Sequence, residues 1–350
     1  MFKTQLSKHN KDNLKVNHQH FETALKKYRI GRVKPIELVL SKYGDSFTHP
    51  LYTKIESRLS HPEWSHLQQT AHVRENALMA VRRGEFGIAE RLFAEARTPL
   101  KANSLSCEGK LLHETFLEQA QAYLDYRRGN FEQVYIRMFN ALRIDLVLEE
   151  EYDYEIMVIH RIQLLHNLVR TEACRGDFRR AMEIASTLLG YLSGTLEVLP
   201  FSGSWGRERL KSQSEKVLAA TFSQITSEIA LILAGKETQT INDLLAITLH
   251  HLQLSASNKN CLHQRSYQWF RLKQAIANNN PASFLEKTSC FLASGRVDTP
   301  FLWYATVVDL VSLCKKFDFP CAELIIREVA QDVPEWKLFP KRLLALIDLK

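Results

Sequence analysis

The stretch RRGEFGIAERLFAEA, Arg82 to Ala96, decides how the chain folds. Gly84 interrupts a helical run, Glu85 follows, and from Phe86 onward Ala89, Phe93 and Ala96 fall on one helical stripe. That is a helix stop, a one-residue pause and a second helix. The arrangement returns in YRRGNFEQVYIRMFNAL (Tyr126–Leu142), with Gly129, Phe131, Val134, Met138 and Ala141 in the same relative places. It returns again in CRGDFRRAMEIASTLL (Cys174–Leu189), with Gly176, Phe178, Ala181, Ala185 and Leu188. The three glycines are 45 and 47 residues apart, each preceded by arginine and followed by Glu, Asn or Asp and then phenylalanine.

Each part of the unit has a physical reason. Glycine ends the first helix because it enters the left-handed region cheaply at the position after the C-cap. The residue that follows can cap the next helix, Asp and Asn better than Glu. The phenylalanine anchors the turn, and small residues after it let the helices approach closely. A helical pair of this kind leaves apolar surface uncovered, so it must stack on copies of itself. Weaker copies follow around Gly235, around Asn278–Asn280, and in KKFDFPCAELIIREVA, which keeps Phe319, Ala322 and Ile326. The first helices of the clear pairs read over 66–83, 114–127 and 155–171. The last carries Ile156, Ile159, Ile162, Leu165 and Val169 along one stripe.

Glycine, an acidic or amide residue, an aromatic, then apolar residues at fixed offsets resembles the second half of the tetratricopeptide repeat, in three units over residues 66–190. The spacing exceeds that family's usual length of about 34 residues, and its early tryptophan, first-helix glycine and terminal proline are missing. The resemblance implies an all-α fold, a right-handed α-solenoid of about five or six stacked antiparallel helical hairpins. The segments expected are a basic N-terminal helical segment or cap over 1–60, three clear pairs over 61–195, a connecting loop over 196–213, and degenerate pairs over 214–350.

The resemblance also implies a site. In tetratricopeptide repeats the first helix of each pair lines the concave surface, with ligand contacts at a few offsets before the turn glycine. Counted back from Gly176, those offsets give Gln163, His166, Asn167 and Arg170. From Gly129 they give Phe116, Gln119, Tyr123 and Arg127, with Tyr126 beside them, and from Gly84 they give Arg74, Glu75 and Arg82. Independently of the family, Gln163, Asn167 and Arg170 form a polar stripe opposite the apolar one. Amides, arginines and aromatics together compose a peptide-binding surface, and arginine suits carboxylates.

Composition restricts the classes. Hydrophobic residues at 45% and charged residues at 24% match a soluble globular protein, and sparse glycine and proline disfavour an all-β fold. The longest clean apolar run, Ile229–Ala234, is far short of the ~20 residues a membrane span needs, so no membrane partner is expected. The first residues carry no apolar signal region, and the six cysteines form no CxxC pair, which together point to a cytoplasmic protein with reduced thiols.

No phosphate-binding glycine loop, dinucleotide fingerprint or HExxH is present, so neither cofactor nor metal nor enzymatic activity is expected. His61, His66 and His72 are spaced too irregularly to share a helical face, and His18 and His20 sit amid lysines. SGSWG, Ser202–Gly206, falls short of a nucleophile elbow because no strand precedes Ser204. The loop around it reads as a hinge, a lid or a flexible connection. The acidic run EEEYDYE, Glu149–Glu155, reads as a helix N-terminus with Glu151 and Glu155 on one face.

The net charge of +7 resides in residues 1–60, the rest of the chain being neutral. Residues 18–43 read as two short helices punctuated by Gly31 and Pro35, which leaves two interpretations. One is a solenoid cap. The other is a DNA-contacting head on a peptide-sensing body, a transcription regulator, although the second helix is mainly apolar and offers few base-reading side chains. The favoured expectation is a non-enzymatic scaffold or adaptor that binds a protein or peptide.

Overall fold

The computed structural model describes residues 18–36, 39–101, 105–254, 260–296 and 300–347. Helix accounts for 79% of the chain, and no strand occurs among the described residues. The helices are α1 (18–32), α2 (Val39–Arg58), α3 (His61–Arg83), α4 (Phe86–Lys101), α5 (Cys107–Arg128), α6 (Phe131–Glu151), α7 (Met157–Arg175) and α8 (Phe178–Ser193). They continue with α9 (Glu208–Lys211), α10 (Glu215–Leu233), α11 (Thr238–Thr248), α12 (Cys261–Ala277), α13 (Pro281–Ala293), α14 (Pro300–Cys314), α15 (Pro320–Asp332) and α16 (Lys341–Ile347). Two compact units result, one of Tyr43–Thr221 and one joining the described parts of Met1–Lys42 and Phe222–Lys350.

In the Tyr43–Thr221 unit, α3 packs on α4, α5 on α6 and α7 on α8, while α3 meets α5 and α6 meets α7. The three turns between paired helices are built alike. Gly84, Gly129 and Gly176 hold φ of 82°, 76° and 88°. Their amides donate to Val81, Tyr126 and Ala173, and the next amides, of Glu85, Asn130 and Asp177, donate to Ala80, Asp125 and Glu172. This double bond pattern is the Schellman turn expected of glycine at that place. Asp177 accepts a backbone amide with its side chain, from Arg180 at 2.9 Å, whereas Asn130 makes no such bond. Ala89, Phe93, Ala96, Val134, Met138, Ala141, Ala181, Ala185 and Leu188 are all buried.

The acidic run departs from its expected place. Glu149–Glu151 end α6 rather than begin α7, and Asp153 takes a φ of 57° in the turn. Carboxylates at a helix C-terminus oppose the helix dipole. Here two arginines outweigh it: Glu149 pairs with buried Arg161 at 2.9 Å and with Arg209, and Glu150 pairs with Arg209 at 2.9 Å. The 196–213 segment is fixed by the same group. The buried Trp205 ring lies 3.7 Å from the Arg161 guanidinium, whose Nη1 donates to the Ser204 carbonyl at 3.0 Å. Ser204 donates its hydroxyl to Glu150 at 2.7 Å.

In the second unit α1 packs on the C-terminal helices. Phe21 is buried against Phe317 and Phe319, and Tyr28 stacks on Trp303 and donates to Asp332. Arg29 pairs with Glu328, and Arg32 with Glu328 and Asp332. Gly31 lies inside this helix rather than at a turn, and neither Pro35 nor Ile36 is helical, so Pro35 does not start α2. A Cβ at Gly31 would meet the Leu292 carbonyl oxygen at 1.9 Å, so close backbone approach explains the glycine. Lys3, Lys8, Lys11, Lys15 and positions 37 and 38 of the second expected helix lie outside the described residues.

Asn279 takes the left-handed place that glycine holds elsewhere, at φ 50°, and Asn280 caps α13 through Ser283 at 3.0 Å. At the centre of this unit Lys273, fully buried, donates to both Asp309 oxygens at 2.9 and 2.8 Å and to the Leu233 carbonyl at 2.9 Å. Among the described residues α10 is the one helix long and apolar enough to cross a membrane, a length the apolar runs alone did not reveal, and 78% of it is buried within the protein.

Candidate functional site

Three helices of the Tyr43–Thr221 unit turn their solvent-side faces toward a common cavity of about 420 Å³. From α3 come Arg74, Leu78 and Arg82, at successive steps of four that keep them on one face. From α5 come Phe116, Gln119, Tyr123 and Tyr126, again three or four apart, and from α7 come Asn167, Arg170 and Thr171. Val134 and Met138 of α6, both nearly fully buried, close its inner wall.

Nine of the twelve residues singled out from the sequence therefore line one cavity: Arg74, Glu75, Arg82, Phe116, Gln119, Tyr123, Tyr126, Asn167 and Arg170. Three do not. Arg127 is exposed beside it, donating to the Tyr123 hydroxyl at 3.2 Å with its guanidinium 5.9 Å from that ring. Gln163 lies one turn before Asn167, half-buried. His166 is turned into the interior at 4% exposure. The reason is that α7 is buried on most of its circumference, with Leu164, Leu165, Leu168 and Val169 at 0–1% exposure around His166. Offsets taken from a half-exposed helix overcount on such a helix.

Charge in the cavity is one-sided. Arg74, Arg82 and Arg170 face it, against the single carboxylate of Glu75. Arg74 sits partly buried with its guanidinium 5.3 Å from the Phe116 ring centroid. Burial pulls its pKa below the ordinary arginine value, Tyr52 and Glu75 opposing, yet arginine stays charged. Among the described residues neither Arg74 nor Arg82 has a carboxylate partner in an ion pair. The opposite side of α5 contrasts with this. There Arg97 binds Glu118 at 2.6 Å, and Arg137 binds Glu118 at 3.1 Å and Asp125 at 2.6 Å. The cations behind α5 are matched by carboxylates, whereas Arg74 and Arg82 in front of it are not.

The chain matches no family model, no curated protein and no solved structure. The site must speak through its own chemistry. No group of three or more His, Cys, Asp or Glu placed to hold a metal ion occurs among the described residues. The acceptor for Ser204 is a carboxylate already engaged by Arg209, an arrangement that holds a loop.

A second cavity of about 200 Å³ lies between α2, α3 and α5, and sequence reasoning did not point to it. Arg74 and Phe116 line both cavities. The signal that could have found it is the apolar spacing Phe47, Leu51, Ile55 on α2, which reads equally as ordinary core.

Proposed function

We propose that the protein is a non-enzymatic scaffold or adaptor that binds an acidic peptide or protein segment in the larger cavity. The observation that carries this reading is the convergence of Arg74, Arg82 and Arg170 with Phe116, Tyr123 and Tyr126 on one concave surface. Guanidinium groups recognise carboxylates with fork geometry, and rigid aromatic rings supply contact area at small entropic cost. Helices fix these side chains before any partner arrives, which lowers the ordering cost of binding.

We further propose that α3–α8 form tetratricopeptide-like units of a helical solenoid, with first helices lining the binding side. Three matching Schellman turns, and the packing of α3 on both α4 and α5, support this. The regulator reading, with nucleic acid held by the basic N-terminal segment, draws no such support. Arg29 and Arg32 of that segment are spent on Glu328 and Asp332.

The test uses fluorescein-labelled peptides of about twelve residues, titrated by anisotropy. One is rich in Asp and Glu, one has the matching amides, and one is rich in Lys. The acidic peptide should bind, and Arg82→Ser with Arg170→Ser should weaken it about tenfold or more, as loss of two charge-assisted contacts implies. Equal binding of the amide peptide would count against the reading.

A further inference from the structure

The smaller cavity has walls of Leu51, Ile55, Leu67 and Leu112, each less than 8% exposed, with half-buried Phe47 and Trp64 at its sides. Tyr52 stands at its rim, 43% exposed and edge-on to Trp64 at 5.2 Å between centroids. The one imidazole on its wall, His113, is neutral: burial pushes its pKa down to about 4, and Nε2 donates to the Ala96 carbonyl at 2.5 Å. The pocket wall is mostly hydrocarbon and aromatic; Thr48 and Gln68 add neutral polar groups, and Arg74 is its one cation. At about 200 Å³ it is roomier than the ~150 Å³ cavity that accepts a benzene ring.

Its position relative to the larger cavity is what gives it a ligand. Arg74 lines both, and Phe116 stands beside it as a shared wall. A chain that places a carboxylate on the Arg74 guanidinium has the apolar pocket within reach of the neighbouring side chain. A bulky apolar group entering there would displace water from the rings of Trp64 and Phe47, the kind of buried anchor that dominates an interface.

We infer that the pocket between α2, α3 and α5 is an anchor site for one bulky apolar side chain, such as Phe or Leu, adjacent to the acidic residue that meets Arg74. The inference rests on the acidic-segment reading of the larger cavity and narrows it. The partner presents an acidic–hydrophobic doublet rather than acidity alone.

The experiment uses four labelled peptides of equal length in a Gly/Ser background, carrying Asp-Phe, Asp-Ala, Asn-Phe or Asn-Ala at the centre. Wild-type protein should bind Asp-Phe about tenfold or more tightly than Asp-Ala, as burial of an aromatic ring implies, and tighter than Asn-Phe. Ala71→Phe, which fills the pocket from α3, should erase the preference for Asp-Phe over Asp-Ala and leave Asp-Ala binding in place. Gln68→Trp, made at an exposed position on the pocket wall, gives the same readout where Ala71→Phe perturbs folding. Equal binding of Asp-Phe and Asp-Ala by wild type, or a preference that survives both substitutions, overturns the anchor and leaves the acidic groove standing. Failure of both Asp peptides to bind more tightly than their Asn counterparts overturns the groove, and the anchor with it.

Discussion

The guanidinium of Arg74 on α3 lies 5.3 Å from the ring centroid of Phe116 on α5, and this one contact stands at the junction of the two cavities. A cation over an aromatic face gains about 0.5–2 kcal/mol, which does not replace the hydration a carboxylate partner would offset. The free protein therefore carries a desolvated charge that the proposed acidic segment would offset. Arg74→Met keeps the side-chain length and removes the charge. Its melting temperature should stay level or rise by a few degrees, as replacement of an unmatched buried charge implies. Affinity for the acidic peptide should fall about tenfold or more. A drop of several degrees in melting temperature would instead make Arg74 a fold-holding residue.

His113 and His263 report on acid stability, one in each compact unit. Burial depresses both imidazoles from 6.5 to about 4, with the bond to Ala96 partly opposing at His113. Between pH 4 and 6.5 the unfolded chain binds the proton and the folded chain does not, so stability rises with pH across that window. Each histidine contributes stability that is fully present above about pH 6.5 and is lost as pH falls through 4, on the order of 3 kcal/mol. Urea titrations of wild type at pH 7 and pH 4.5 should differ accordingly. The difference should shrink in His113→Leu for the transition of the Tyr43–Thr221 unit, and an unchanged difference would overturn the assignment.

The sequence made the helical pairs legible because their turns depend on local chemistry. Glycine at φ near 80° followed by a helix start is written in three or four consecutive residues. The cavity was legible for the same reason on α3 and α5, whose exposed faces follow a regular step. It failed at His166 because burial around α7 is set by neighbours distant in sequence. The docking of α1 on residues 317–332 has no local signature. Arg29 reaches Glu328 across nearly the whole chain, and the basic excess that suggested an anionic partner is partly consumed by that contact. Similarly, the EEE run at 149–151 was misread because its partners, Arg161 and Arg209, come from later segments.

The buried pair Lys273–Asp309 yields a double-mutant test. Burial lowers the lysine pKa and raises that of the aspartate, and mutual attraction opposes both. With the carbonyl of Leu233 as third acceptor, the ammonium has all three donors placed. Lys273→Met alone leaves a buried carboxylate, and Asp309→Leu alone leaves a buried ammonium. Each should cost about 3–5 kcal/mol. The double variant should recover most of that loss, because two charges no longer need desolvation. Additive losses in urea unfolding would show that the two residues act independently.

Two glycines separate strain from collision. At Gly176 a Cβ meets nothing within 4 Å, so Gly176→Ala bears only the backbone cost of φ 88°, about 1 kcal/mol. At Gly31 the φ is unremarkable, but a Cβ would press on the Leu292 carbonyl, its oxygen at 1.9 Å and its carbon at 2.9 Å, with Gly295 N at 3.5 Å. Backbone cannot swing aside as a side chain does, so Gly31→Ala must lift the end of α1 from α13. The contacts strained first are the bonds of Arg296 to the Arg32 and Lys34 carbonyls at 2.8 and 3.1 Å. Hydrogen exchange should then show lost protection across residues 18–32 in Gly31→Ala. In Gly176→Ala protection there should be unchanged, with only the turn between α7 and α8 loosened. Full protection of α1 in Gly31→Ala would mean that the helix does not approach Leu292 so closely in solution.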